Sequence, residues 1–386
     1  MSNSIELCEP YFFGNEQKYI NECFEEGWVS SAGKYLDLFE LSLSEYTSSK
    51  EALACINATS CLHLALKVFG IGTEDEVLIP SLTFIAPVNA VVYANASPLF
   101  LDCDSFCNLD IDKTRNFLLN ETDYENGFCI NKKTGKSIKA IIPVHVFGNA
   151  VNLEPIIDIC AELNIKIIED ASESLGTFYS EGKLKGKHTG TIGEIGCISF
   201  NGNKILTTGG GGVLLSQNEE YALKASYLSK QAKDNPLKFI HNEVGYNYRL
   251  SNIQAAMGVA QMENINDALK IKNEIHNFYI ESFKDSDGLE LINNPTYSKS
   301  NNWLSVLKID KKKREKSATN ILDNLNSKNI NARPIWFPNH LQKPFKNYQS
   351  YEISQTQKLV DQCVCLPSSL GLKKVELDNI VKAINE

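Results

Sequence analysis

AIIPVHVFGNAVNLEPIIDICAELNIKIIED, residues 140–170, carries the alternation that decides the fold. Ala140-Ile141-Ile142-Pro143-Val144 is a short apolar run of strand type. Leu153 to Leu163 then places apolar residues at helical spacing, and Ile165-Lys166-Ile167-Ile168-Glu169-Asp170 returns to a buried strand. The same pattern appears upstream between Val77 and Phe100, where Pro80, Ser81, Pro87, Asn89, Asn95 and Pro98 break a long apolar stretch into strand, helix, strand. Strand and helix units in series predict an α/β fold with a mostly parallel sheet and helices on both faces. Sites in such folds gather at the carboxyl ends of strands, which is where Asp170 and His145 are expected.

Beyond that strand lies Ser199-Phe200-Asn201-Gly202-Asn203-Lys204, followed by Thr207-Thr208 and the run Gly209 to Gly212. A lysine acts covalently only when its amine can lose its proton and meet a carbonyl, so a short turn rich in backbone groups suits it. Alone, Lys204 would be an ordinary solvated lysine beside a glycine loop. Asp170 changes that, because a carboxylate paired with a pyridine nitrogen keeps such a ring protonated and able to accept electrons. A third element, Asn57-Ala58-Thr59-Ser60-Cys61-Leu62-His63-Leu64-Ala65-Leu66, sets capping residues before an apolar helix. Its first-turn amides lack helical partners and the helix dipole favours an anion, so Thr59 and Ser60 are expected to present a phosphate site.

Together with Ile79-Pro80-Ser81-Leu82-Thr83-Phe84, Phe100 to Asp104, Pro143 to Gly148, Glu169 to Ser174 and Gly245-Tyr246-Asn247-Tyr248-Arg249-Leu250, these landmarks run along nearly the whole chain. In that order they resemble the DegT/DnrJ/EryC1/StrS family of sugar aminotransferases. The resemblance implies a fold-type I, pyridoxal phosphate-dependent aminotransferase (transaminase) with a smaller C-terminal α+β domain. The sequence divides after Gly258, giving a large cofactor-binding domain over 1–258 and a small domain over 259–386. The wording around Leu78 to Phe84 and Asn201 to Lys204 is most similar to the legionaminic acid pathway group. Those enzymes aminate C4 of a nucleotide-linked 4-keto-6-deoxy sugar, and perosamine synthases share Gly202-Asn203-Lys204.

Carried over by position, the resemblance makes Lys204 the Schiff-base lysine and proton shuttle, Asp170 the pyridinium partner and Glu173 a neighbour of the ring's phenolic oxygen. Thr59, Ser60 and Ser199 would hold the cofactor phosphate, Phe84 would stack on the ring, and Asn247 would reach the phosphate of a partner subunit, which implies a homodimer with a shared site. Arg249, with Arg333, Trp336 and His340 of Arg333-Pro334-Ile335-Trp336-Phe337-Pro338-Asn339-His340, would bind the substrate. The implied reaction moves an amino group from glutamate to C4 of a UDP- or GDP-linked keto sugar, an N-acetylated one, in bacterial surface-sugar biosynthesis of the legionaminic acid or bacillosamine type. The alternatives are a perosamine-type or C3 ketosugar aminotransferase, a sugar dehydratase on the same fold, which the lysine at 204 opposes, and a noncatalytic relative.

Composition fits an enzyme with a sizeable core: 386 residues, 43% of them hydrophobic. A net charge of -9 opposes binding to nucleic acid or to anionic membrane surfaces. The run Lys311-Lys312-Lys313-Arg314 reads as a solvated loop, and Glu121 to Ser137, with Asn131-Lys132-Lys133-Thr134-Gly135, as a surface hairpin. Eleven cysteines without a paired CxxC framework predict free thiols in a reducing cytoplasm and no zinc site. Met1 to Leu7 has no basic segment followed by an apolar core, so no signal peptide is expected. Leu377, Ile380, Val381 and Ile384 predict a final amphipathic helix.

Overall fold

The structure, a computed structural model, describes residues 4–386, so Met1, Ser2 and Asn3 of the N-terminal segment read above lie outside the described residues. The strands of the first 216 residues are β1 (Glu51–Cys55), β2 (Asp75–Pro80), β3 (Ser97–Leu101), β4 (Thr122–Glu125), β5 (Phe128–Asn131), β6 (Ser137–Ile141), β7 (Lys166–Asp170), β8 (Phe178–Tyr179), β9 (Ile195–Ser199) and β10 (Gly212–Ser216), of which β8 pairs apart from the main sheet with Ser298–Lys299. The main sheet runs β1-β10-β9-β7-β6-β2-β3, with Ser350–Tyr351 added beyond β3. Neighbours from β9 to β3 are parallel, while β10 runs against both β1 and β9. This is the α/β architecture expected from the sequence.

Alternation along the strands sorts the core. On β2, Val77 and Ile79 join Leu62, Leu64, Val88 and Val91 of the helices Ala58–Val68 and Ala86–Tyr93, whereas Leu78 joins the cluster on the opposite face with Ile156 and Phe117. On β10, Leu214 faces the first cluster and Val213 and Leu215 face Phe39 and Ala255. Helices therefore cover both faces, which is why these strands read as near-continuous apolar runs.

The strand expected over 140–144 ends its ladder at Ile141, because Pro143 has no N–H to give. Val144 rejoins the sheet through a single bridge to Asp170, and the Pro143 carbonyl accepts from the Asp170 amide at 2.9 Å. The segment at 121–137 forms the β4–β5 hairpin, and Lys311 to Lys313 are exposed turn residues. The final helix spans Lys374–Asn385 with Leu377, Ile380 and Ile384 buried.

A second sheet, Leu289–Leu291, Ser305–Ile309, Cys363–Leu366 and Arg333–Pro334, is antiparallel and packs on the final helix. The 19-residue helix Ile265–Phe283 joins the two cores: Ile265 and Ala268 pack in one, Ile275, Tyr279 and Phe283 in the other. We propose the division after residue 258 as one of packing units sharing that helix. The chain crosses it twice more. Ile5 bridges Ile330, and Ser350–Tyr351 returns to pair with Phe100 and Leu101.

That return is clamped by Asp102, whose carboxylate accepts from the amides of Ser354, Gln355 and Thr356 at 2.8–2.9 Å and from Lys113 Nζ at 2.5 Å. Burial would raise its pKa, but Lys113 and the three amides together hold it well below the usual carboxylate range. A depressed folded value stabilises the protein above the unfolded carboxylate range and is lost as pH falls below about 4. Asp102→Ala should cost about 3 kcal/mol at neutral pH, since it leaves three amides without their acceptor and removes the carboxylate that pairs with Lys113. Urea denaturation at pH 7 and pH 3.5 checks both points, the difference from wild type shrinking at the lower pH.

Candidate active site

At the carboxyl ends of β7 and β9 lies a cavity of about 340 Å³, within the range of small-molecule sites. Of the residues expected to act, Thr59, Phe84, Asp170, Glu173, Ser199, Lys204 and Trp336 line it together. Lys204 sits where β9 turns back toward β10. Its amide donates to the Asn201 carbonyl at 3.0 Å, and the turn closes with the Thr208 amide on the Phe200 carbonyl at 2.9 Å. Gly209, at φ +77°, takes a left-handed conformation that glycine adopts freely. Gly212 serves a different need, since a Cβ there would stand 2.4 Å from the backbone of Asn57 and Ala58. Only a residue without a side chain lets β10 pass so close to the helix start.

At that helix start the Asn57 side chain accepts from the Ser60 amide at 2.8 Å. The expectation that Ser60 offers a free amide is therefore corrected: the cap engages it. The Ala58 and Thr59 amides, which no helical turn can engage, remain at the cavity wall, beside an N-terminus that favours an anion. Ser60 is buried beneath them.

Two adjacent carboxylates at the end of β7 have different surroundings. Glu169 is wholly buried and accepts from the amides of Gly190, Ile192 and Gly193 at 2.6–2.8 Å and from His145 Nε2 at 3.0 Å. His145 Nδ1 accepts from the Val151 amide at 3.0 Å, so the ring proton resides on Nε2 and this histidine is a satisfied structural group. Burial would raise the Glu169 pKa, but His145 and the amides bring it below the ordinary value. Asp170, next along the strand, points into the cavity and accepts from the Ser172 amide at 3.0 Å. Burial raises its pKa, against the lowering effects of Ser172 and the charge of Lys204. Glu173 is likewise raised by burial, opposed by Lys204 and the Phe147 amide, which donates to Oε2 at 2.8 Å. Its Oε1 lies 3.5 Å from Lys204 Nζ.

Phe84 is not a core aromatic. It is 52% exposed at the cavity and meets Trp336 edge-on at 5.5 Å. Trp336 also packs 5.8 Å from Phe147, and its buried Nε1 has no hydrogen-bond partner among the described residues. The remaining expected residues stand outside the cavity lining. His340 Nδ1 pairs with Ser81 Oγ at 2.6 Å, and burial lowers its pKa. Arg333 is exposed, and among the described residues its guanidinium reaches only the Ala332 carbonyl, at 3.3 Å. Arg249 pairs with Glu40 at 2.8 Å behind β1. Asn247 is exposed. Trp303, Asn201 and Asn203 line the cavity without having been expected there. An Asn-Asn-Trp sequence at 301–303 has no periodic signature, and only its position against Lys204 reveals it.

Glu169→Gln would turn an amide NH₂ toward donors already aimed at an acceptor. It should destabilise the fold by about 3 kcal/mol, measured by urea denaturation.

The DegT/DnrJ/EryC1/StrS aminotransferase family model matches residues 12–385. EpsN of Bacillus subtilis, assigned as a pyridoxal phosphate-dependent aminotransferase, is 34% identical over 100% of this chain and 96% of its own. GDP-perosamine synthase of Caulobacter vibrioides is 31% identical over 99% and 98%. UDP-4-amino-4,6-dideoxy-N-acetyl-beta-L-altrosamine transaminase of Campylobacter jejuni is 34% identical over 72% and 69%. Among solved structures, a DegT DnrJ EryC1 StrS aminotransferase from Brucella abortus superposes with a TM-score of 0.86 at 25% identity, covering 96% of this chain and 94% of that one. The family's cofactor is pyridoxal phosphate, and the cavity suits it: unengaged amides at a helix start for the phosphate, a buried carboxylate for the ring nitrogen, an open aromatic for the ring face and a lysine amine for the aldehyde. No helix among the described residues is long and apolar enough to cross a membrane. This chain belongs to the DegT/DnrJ/EryC1/StrS family and is a pyridoxal phosphate-dependent sugar aminotransferase.

Proposed function

We propose that the protein transfers an amino group from glutamate to C4 of a nucleotide-linked 4-keto-6-deoxy hexose, one carrying an N-acetyl group, for a bacterial surface sugar of the legionaminic acid or bacillosamine type. The observation that carries this reading is the amine of Lys204, set against Glu173 in a cavity that also holds the buried carboxylate of Asp170. The name of one relative supports the regiochemistry, since the Campylobacter jejuni transaminase is named for a UDP-linked 4-amino-4,6-dideoxy sugar bearing an N-acetyl group. A perosamine-type reaction on a GDP-linked sugar is the second reading, favoured by the Caulobacter vibrioides relative.

Bound pyridoxal phosphate supplies the electron sink for the carbanion formed at the donor carbon. The protein's part is binding and proton movement. Thr59, Ser60 and Ser199 would hold the phosphate with the amides of the helix start, Phe84 would cover the ring, and Asp170 would keep the ring nitrogen protonated. Burial favours this pairing, because a carboxylate away from water gains most from a cationic partner. Lys204 would take up and hand on the proton at Nζ, with Glu173 Oε1 beside it at 3.5 Å. Trp336 and His340, with Arg249 and Arg333, are proposed to meet the nucleotide sugar.

Asn247 is proposed to complete the phosphate site of a second copy in a cytoplasmic homodimer. The segment before it leaves Leu237, Phe239 and Val244 exposed at 90%, 70% and 82%, an apolar surface suited to burial against another subunit.

Lys204→Ala should abolish turnover and the visible absorbance of lysine-bound cofactor while the protein unfolds near the wild-type temperature. Normal turnover would remove the assignment. Asp170→Asn should keep the cofactor bound but slow amino transfer by about 100-fold or more, a loss of the order seen when proton-transfer control fails. The substrate is tested with glutamate and a panel of UDP- and GDP-linked 4-keto and 3-keto sugars. Amination of the 3-keto sugars alone would overturn C4 transfer.

A further inference from the structure

Lys204 Nζ lies between two unlike walls, Glu173 Oε1 at 3.5 Å and the indole ring of Trp303 at 3.9 Å from its centroid. Trp303 is 1% exposed and is fastened at three points. Its Nε1 donates to the carbonyl of Asn203, the residue before Lys204, at 2.8 Å. Its amide donates to Asn301 Oδ1 at 2.9 Å, and its carbonyl accepts from Lys272 Nζ at 2.9 Å.

The other wall is tied to the same framework. Asn301 Nδ2 donates to the carbonyls of Glu173 at 3.0 Å and Leu175 at 2.8 Å, so one asparagine sets the spacing between the carboxylate and the indole. Gly148 makes room for it, as a Cβ there would overlap Asn301 Oδ1. Lys272 is buried at 1% exposure, and its ammonium is engaged by the Trp303 and Ser368 carbonyls and by Cys8 Sγ at 3.7 Å. Burying an ammonium on carbonyl partners costs stability, and what it fixes here is the backbone of the residue that covers Lys204. Burial lowers the Lys272 pKa, in keeping with that cost.

We propose that Trp303 is a positioning residue for Lys204: with the amine free, Nζ rests on the indole face opposite Glu173, and the ammonium formed when that amine takes up a proton is held there until the proton is handed on. A lysine stem has four rotatable bonds, and without this face the freed amine would sample the rest of the cavity. A cation held over an indole away from water is the strongest arrangement of its type. The inference rests on Lys204 being the cofactor-bonding lysine and holds whichever sugar accepts the amino group.

The test compares wild type, Trp303→Phe and Trp303→Leu as full-length, cofactor-free proteins. Trace acetic anhydride labels lysine amines, and mass spectrometry reports Lys204 against the exposed Lys311. Loss of the ring should speed Lys204 acetylation by about tenfold in the leucine variant, with phenylalanine close to wild type because a ring face remains. In the reconstituted enzymes kcat should fall in the same order, while KM for the amino donor holds. Should the leucine variant not fold, Trp303→His, with a smaller and less electron-rich ring, takes its place with the same expected direction. Wild-type labelling in the ring-less variant, or equally fast labelling of the phenylalanine and leucine variants, overturns the proposal. If Lys204 did not bond the cofactor, wild type would lack the lysine-bound absorbance even where the labelling contrast stood, so the two failures are distinguishable.

Discussion

Two carboxylates one residue apart at the end of β7 are both buried, and strand geometry keeps them from sharing a fate. Successive side chains on a strand face opposite sides. Glu169 therefore meets the Gly190–Gly193 loop and His145, which supply four donors, while Asp170 meets the cavity with the Ser172 amide. The first carboxylate is spent on holding the loop that leads into β9, and β9 in turn delivers Ser199 and the Lys204 turn. The second is left able to take a cationic partner. Shifting the register by one residue would exchange their roles and dismantle the site.

The lysine turn is governed from both cores. Strand pairing fixes its base through β9 and β10, and Gly212 lets the helix start at Asn57 and Ala58 lie against that pairing. The cover comes from Asn301 and Trp303, immediately before the strand Ser305–Ile309 of the second sheet. The helix Ile265–Phe283 contributes Lys272 to the same cover. Asp102 holds a further crossing between the cores, the segment that brings Ser354 to Thr356 onto the main sheet. The site thus sits where several separate crossings converge, and its geometry depends on the two packing units keeping one relative placement.

Sequence alone revealed what is local. The strand and helix alternation, the Asn57 cap, the strand-end Asp170 and the lysine turn each depend on residues within a few positions, so periodicity and turn chemistry disclose them. What stayed hidden is set by long-range pairing. Trp303 touches a lysine 99 positions earlier in the chain, and Arg249 finds Glu40 across 209. Which first-turn amide the Asn57 side chain engages is set by its rotamer, so sequence does not show that the Ser60 amide is taken. The return of Ser350–Tyr351 to the main sheet is only two residues long and carries no strand signature of its own.

The N-terminal bridge has a consequence for biosynthesis. The Ile5 amide bonds the Asn329 carbonyl, the Asn331 amide bonds Ile5, and the Ser368 amide bonds Leu7, so the earliest described residues are a margin of the last sheet to be made. On the ribosome this segment must wait, unpaired, until Asn329, Asn331 and Ser368 have been made, and at roughly 5–20 residues per second that delay is tens of seconds. Contacts so distant in sequence are slow to close. Strands β1 to β10 all precede residue 217 and can pair first, whereas the cover over the lysine also needs Ser368, whose carbonyl holds Lys272.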